Sequence, residues 1–148
     1  MRFLLPLAAF LTVAVLLIGQ QGHSSAVTYV PHDKVGTALS KGGPLVGAPD
    51  YKDFTVSGSH RNGPGQVEVH DHETDIMYIV DGEATIVTGG TMVGGKTTKP
   101  GQWMGTEIQG GEAHHLSKGD VLVVPAGTPH WFKEVPGPIS YYVVKVIK

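Results

Sequence analysis

Over most of the chain, apolar and polar residues alternate in short stretches divided by Gly, Pro, Asn and Asp. That is the pattern of strands joined by tight turns. Tyr51 to His60, rich in Phe, Thr, Val and Ser, reads as a half-buried strand, and Arg61-Asn62-Gly63-Pro64-Gly65 turns the chain. Gln66 to His72 is the next strand. Period two puts Val67, Val69 and Asp71 on one face and Gln66, Glu68, His70 and His72 on the other. Asp75 to Val80 follows with Asp75, Met77 and Ile79 on one face. The Asp81-Gly82 hairpin turn then leads into Glu83 to Thr88. Thr91 to Gly101, glycine-rich with Thr97, Thr98 and Pro100, reads as an exposed loop. Gly105 to Gln109 and Glu112 to Leu116 are two short strands, and Ile139 to Ile147 is the last. Ahead of all these, Val27 to Pro31 reads as a strand. Asp33 offers an N-cap to a brief helix over Lys34 to Lys41, and Pro44 to Asp50 is a loop. Many short strands with Gly and Pro between them predict an all-β sandwich or small barrel.

One stretch breaks the alternation. Val121 to Val124 is a continuous apolar run, as in a strand covered on both faces. Pro125 cannot donate to a ladder and stops it, and Gly127 admits a positive φ in the turn. Pro129 keeps Thr128 extended, so His130 opens a new strand beside the first.

The N-terminus has a different pattern. Phe3 to Ile18 is almost wholly apolar after Met1-Arg2, and Ser24-Ser25-Ala26 places small residues at the −3 and −1 positions of a cleavage site. Residues 1–26 thus read as a secretory signal peptide, with 27–148 as one mature domain of 148 − 26 = 122 residues. If retained, the run approaches the roughly 17 residues needed for a membrane span. With cleavage no stable span remains, and the protein is expected to be periplasmic or secreted. Losing Arg2 moves the formal charge from −2 to about −3. Such a mild balance, without a basic stripe, excludes a nucleic-acid partner. The absence of cysteine excludes disulfides and thiolate metal sites.

Gly119, Pro125, Gly127 and His130 match, without a gap, the four leading positions of Gly-x5-Pro-x-Gly-x2-His-x3-Asn, with Glu134 where Asn would stand. This resembles the second motif of the cupin superfamily. Gly65, His70, His72, Asp75 and Gly82 resemble its first, Gly-x5-His-x-His-x3,4-Glu-x6-Gly. Here Gly65 lies one residue closer, the turn after His72 is short, and Asp replaces Glu; Glu73 is the alternative carboxylate. The resemblance spans Gly65 to Glu134. It implies a cupin-type jelly roll, a homodimer as in many small cupins, and a metal held by His70, His72, Asp75 and His130.

Elementary chemistry supports the site beside the resemblance. His70 and His72, if both on one strand face, are about 7 Å apart at Cα, so their imidazoles can converge on one ion. His130 completes the set if the two motif strands are neighbours. A His-rich site with a carboxylate suits a divalent transition metal, Fe, Mn, Ni, Zn or Cu. Met77, Phe132 and Glu68 are the candidate contacts for a small-molecule ligand, Glu68 also being able to orient an imidazole N–H. Trp103 can cap the opening or pack on the surface. His23, His32, His60, His114 and His115 read as surface residues. Two functions follow from the resemblance: a metal-dependent oxygenase or isomerase acting on a small molecule, or a non-catalytic binder of a small molecule or metal.

Overall fold

The computed structural model describes residues 27–148, so the expected signal segment lies outside the described residues. Helix α1 (His32–Lys41) is followed by β1 (Gly43–Val46), β2 (Phe54–Arg61), β3 (Val67–His70) and β4 (Glu73–Asp81). Then come β5 (Ala84–Thr88), β6 (Thr91–Val93), β7 (Lys96–Lys99), β8 (Gln102–Gly105), β9 (Glu107–Gln109) and β10 (Glu112–Leu116). The chain closes with β11 (Val121–Val124), β12 (His130–Glu134) and β13 (Ile139–Ile147). Two antiparallel sheets face each other, ordered β1-β2-β13-β4-β11 and β10-β5-β12-β3-β8-β7, with β6 and β9 as a separate ribbon. The all-β jelly-roll expectation holds.

The core lies between the sheets. Period two turns Met77 and Ile79 of β4, Ile139, Tyr141 and Val143 of β13, and Ile86 and Phe132 of the opposite sheet toward one another. Asp75 shares the inward face of β4, as its spacing predicts, and is buried. Farther along the same face of β13, the inward position after Val143 is Lys145. The interior is therefore apolar at one end and ionic at the other.

On β3 the inward and outward faces carry an unusual assignment. Glu68 points into the barrel, whereas Val67 faces out and packs with Val87, Ile108, Met92 and Trp131. The β6–β9 ribbon supplies Met92 and Ile108, so it roofs the outside of the six-stranded sheet. β6 and β7 replace the expected loop over 91–101. β7, which pairs with β8, gives no signal because Lys-Thr-Thr-Lys is exposed throughout, with no apolar alternation to read.

Other expectations are corrected. Val27 to Pro31 is not a strand; Val27 and Tyr29 are exposed and unpaired with any sheet. The helix starts at His32, after Pro31 as N-cap and with no side-chain cap, so Asp33 lies in its first turn instead. Part of the expected loop after Pro44 is β1, paired with β2. The β11 run is covered on one face only: β11 is a sheet edge, and Val121 and Val123 are 62% and 54% exposed. Helix α1 is seated on β2 because Gly58 has no side chain; a Cβ there would lie 2.6 Å from the backbone carbon of Ala38.

Candidate metal centre

Two hairpins deliver the donors. Gly127, at φ 79°, shapes the turn between β11 and β12, and its N–H donates to the His70 carbonyl at 2.8 Å. That bond ties the turn to the end of β3 and sets His130 directly opposite Glu68 in the β3–β12 ladder. Glu68 and His70 lie two residues apart on β3 and face the same way. His70, Asp75 and His130 are all buried, and the two imidazole rings lie 5.2 Å apart, centroid to centroid.

Each ring has one nitrogen committed. His70 Nδ1–H donates to Gln102 Oε1, and His130 Nδ1–H donates to the Thr128 carbonyl at 3.1 Å. Both Nε2 atoms therefore face the interior. His70 Nε2 is buried without a hydrogen-bond partner. Around it stand Glu68 Oε2 and Asp75 Oδ2, each at 3.5 Å, and Asp75 Oδ2 lies 3.8 Å from His130 Nε2. Two donor groups result, Glu68–His70–His130 and His70–Glu73–Asp75, each with ligand atoms within 4.8 Å of one another. An imidazole whose Nδ1–H is already engaged presents its Nε2 lone pair, the form a metal requires.

Two cations border the site. Lys145 is the cross-strand partner of Asp75, and its Nζ lies 2.7 Å from Asp75 Oδ1 and 3.0 Å from Glu73 Oε2. Arg61 reaches Glu68 Oε1 at 3.5 Å, donates from Nε to the Tyr141 hydroxyl at 2.7 Å, and lies over the Phe132 ring. The charges respond. The His70 ring lowers the Glu68 carboxyl to about 2, against the opposing effect of burial and with help from His130 and Arg61. Burial disfavours a charged His70, but Glu68, with Asp75 and Gln102, outweighs it and raises the ring above its ordinary value. His130 moves the other way, lowered by burial. Burial also works against a charged Glu73, and Lys145 outweighs it, so Glu73 is lowered. Burial raises Tyr141.

A cavity of 180 Å³ opens beside these groups, walled by Met77, Phe132, Tyr141, Ser57 and Ser59 as well as the charged residues. Of the sequence candidates, His70, Asp75, His130, Glu68, Met77 and Phe132 come together. His72 does not. β3 ends at His70, where the Asp71 N–H donates to the Gly101 carbonyl, and the bend carries the His72 ring out against Gly101 at the surface. Trp103 points away from the cavity and donates Nε1–H to the Asp71 carboxylate. Spacing alone missed Arg61, Gln102, Tyr141 and Lys145. A charged residue at an inward position of an otherwise apolar strand would have signalled Lys145; Gln102 gives no such signal.

No curated protein matches the chain in sequence. Among solved structures, it is similar to a protein from Neisseria meningitidis at 12% identity and TM-score 0.53, covering 80% of this chain and 99% of that one. It is also similar to the cupin domain of Cnp3 from Schizosaccharomyces pombe, at 13% identity and TM-score 0.52, covering 72% and 63%. A cupin protein from Bacteroides fragilis matches at 19% identity and TM-score 0.45, covering 65% and 67%. Several other matched structures are longer, and the chain spans 51% to 65% of their length. At these identities the likeness is one of fold. A family model described as Cupin matches residues 54–144, and the chain belongs to the cupin family.

Proposed function

We propose that this cupin binds one divalent transition metal through Glu68, His70 and His130, and that the cavity beside the ion admits a small molecule. The supporting observation is the buried, unpartnered His70 Nε2, in a group with Glu68 and His130 whose ligand atoms all lie within 4.8 Å of one another. Burying a ring nitrogen without a partner costs on the order of 1–3 kcal/mol unless something binds it. Two imidazoles and one carboxylate suit Fe, Mn, Ni, Zn or Cu and leave coordination positions free. A bound ion would supply Lewis-acid or redox chemistry, which supports the reading as an oxygenase or isomerase. Met77 and Phe132 would bind the apolar part of a substrate, while Ser57 and Ser59 offer hydroxyls to its polar part. Asp75 is the further carboxylate within reach of both histidines.

Elemental analysis of purified protein tests the first part: one metal per chain is expected, and full occupancy retained in His130→Ala would overturn it. Oxygen uptake by the loaded protein, screened against small phenols and sugars, separates an oxygenase from a non-catalytic binder. We further propose export, supported by the Phe3 to Ile18 run and Ser24-x-Ala26. We also propose a homodimer, supported by the exposed apolar edge at Val121 and Val123. No helix among the described residues is long and apolar enough to cross a membrane. N-terminal sequencing that reads Val27, and sedimentation at twice the chain mass, are the expected results.

A further inference from the structure

We infer that Lys145 determines which carboxylates a bound metal can use: it takes Glu73 and Asp75 as its own counter-ions and leaves the ion the Glu68–His70–His130 face. The inference rests on the metal-binding reading above. Two donor groups share His70: Glu68–His70–His130 and His70–Glu73–Asp75. Either group could in principle hold an ion. An ammonium is already lodged on one side, 2.7 Å from Asp75 Oδ1 and 3.0 Å from Glu73 Oε2. It is anchored there by the strands, because Lys145 and Asp75 are direct partners in the β4–β13 ladder. A divalent ion that bound through Glu73 or Asp75 would have to draw charge from a carboxylate shared with Lys145 and tolerate that cation a few ångströms away.

Glu68 carries a looser restraint. Arg61 reaches it only at 3.5 Å and through Oε1, leaving Oε2 on the side of His70. Asp75 likewise keeps Oδ2 toward the histidines, 3.5 Å from His70 Nε2 and 3.8 Å from His130 Nε2, but its Oδ1 is held by Lys145 at 2.7 Å. Glu68 is thus the carboxylate held less tightly by its cation, and Lys145 is a positioning residue. Its presence would keep Glu73 and Asp75 engaged and leave Glu68, His70 and His130 to hold the ion.

The test is a titration of Co2+ into chelator-treated full-length mature protein, followed by affinity and by visible absorption, which weakens as coordination number rises. Lys145→Met is expected to bind Co2+ about tenfold or more tightly, because a repelling cation is removed and two carboxylates are released. Its absorption should be weaker than that of the wild type. Lys145→Arg keeps the charge and is expected to stay within about threefold of wild type. Equal or weaker binding by Lys145→Met with an unchanged spectrum overturns the inference. Should Lys145→Met not fold, Glu73→Gln in the wild-type background decides. Little change in Co2+ affinity upholds the inference, and a large loss makes Glu73 a ligand and overturns it. Absence of Co2+ binding by wild type, with binding by Lys145→Met, contradicts the metal reading while upholding the part played by Lys145. Absence in both overturns both.

Discussion

Glu68→Gln provides a quantitative test of the site's electrostatics. The substitution keeps size and removes charge. In the folded protein the Glu68 carboxyl is lowered from 4.5 to about 2. At about 1.4 kcal/mol per tenfold change in acidity, that drop corresponds to on the order of 3 kcal/mol of folding stability. Because the folded value is depressed, the contribution is fully present above the unfolded value of 4.5 and is lost as pH falls toward 2. Urea unfolding of metal-stripped wild type and Glu68→Gln should differ by about 3 kcal/mol near pH 7 and by about 1 kcal/mol near pH 3. With a slope of roughly 1.5 kcal/mol per molar, the midpoints near neutrality should be about 2 M apart. An equal difference at both pH values would refute the reasoning, since it would mean that Glu68 acts through packing and not through charge.

Four further outcomes are expected. Metal binding near neutral pH should release up to about one proton, because His70 is raised above its ordinary value and must lose its proton to coordinate; calorimetry in buffers of different ionisation enthalpy measures this, and zero release contradicts it. His72→Ala should leave metal affinity unchanged while His70→Ala abolishes it, as equilibrium dialysis would show; equal losses would restore His72 to the site. Gly58→Ala should cost about 1–3 kcal/mol in chemical unfolding, because its Cβ would meet the rigid backbone of Ala38 and shift α1. Val67→Ala should cost about 1–2 kcal/mol and loosen the β6–β9 ribbon, seen as faster amide exchange at Ile108, without altering metal content.

Much of this was legible in the residues. The turn from Pro125 to His130 follows from two prolines and a glycine that restrict the backbone locally, and β11 and β13 fall where their apolar runs do. The inward face of Asp75, Met77 and Ile79 follows from period two in a strand that continues past them. The same rule failed at His72 because it presumes a strand that has not yet ended, and the bend at Asp71 is set by a distant partner, Gly101. Gln102 and Lys145 reach the site from strands that lie 32 and 70 residues away from His70 and Asp75, respectively. Such contacts depend on which strands become neighbours, and no local pattern encodes that. Spacing makes Glu68 no more than a helper to an imidazole; its place in the donor group arises from its register opposite His130.

The most direct measurement is a crystal structure of metal-loaded protein with data collected across the metal's absorption edge. The anomalous peak should lie about 2.0–2.2 Å from His70 Nε2, His130 Nε2 and a Glu68 oxygen, with Lys145 still on Glu73 and Asp75. A peak coordinated by His72, or none between His70 and His130, would contradict the proposed centre.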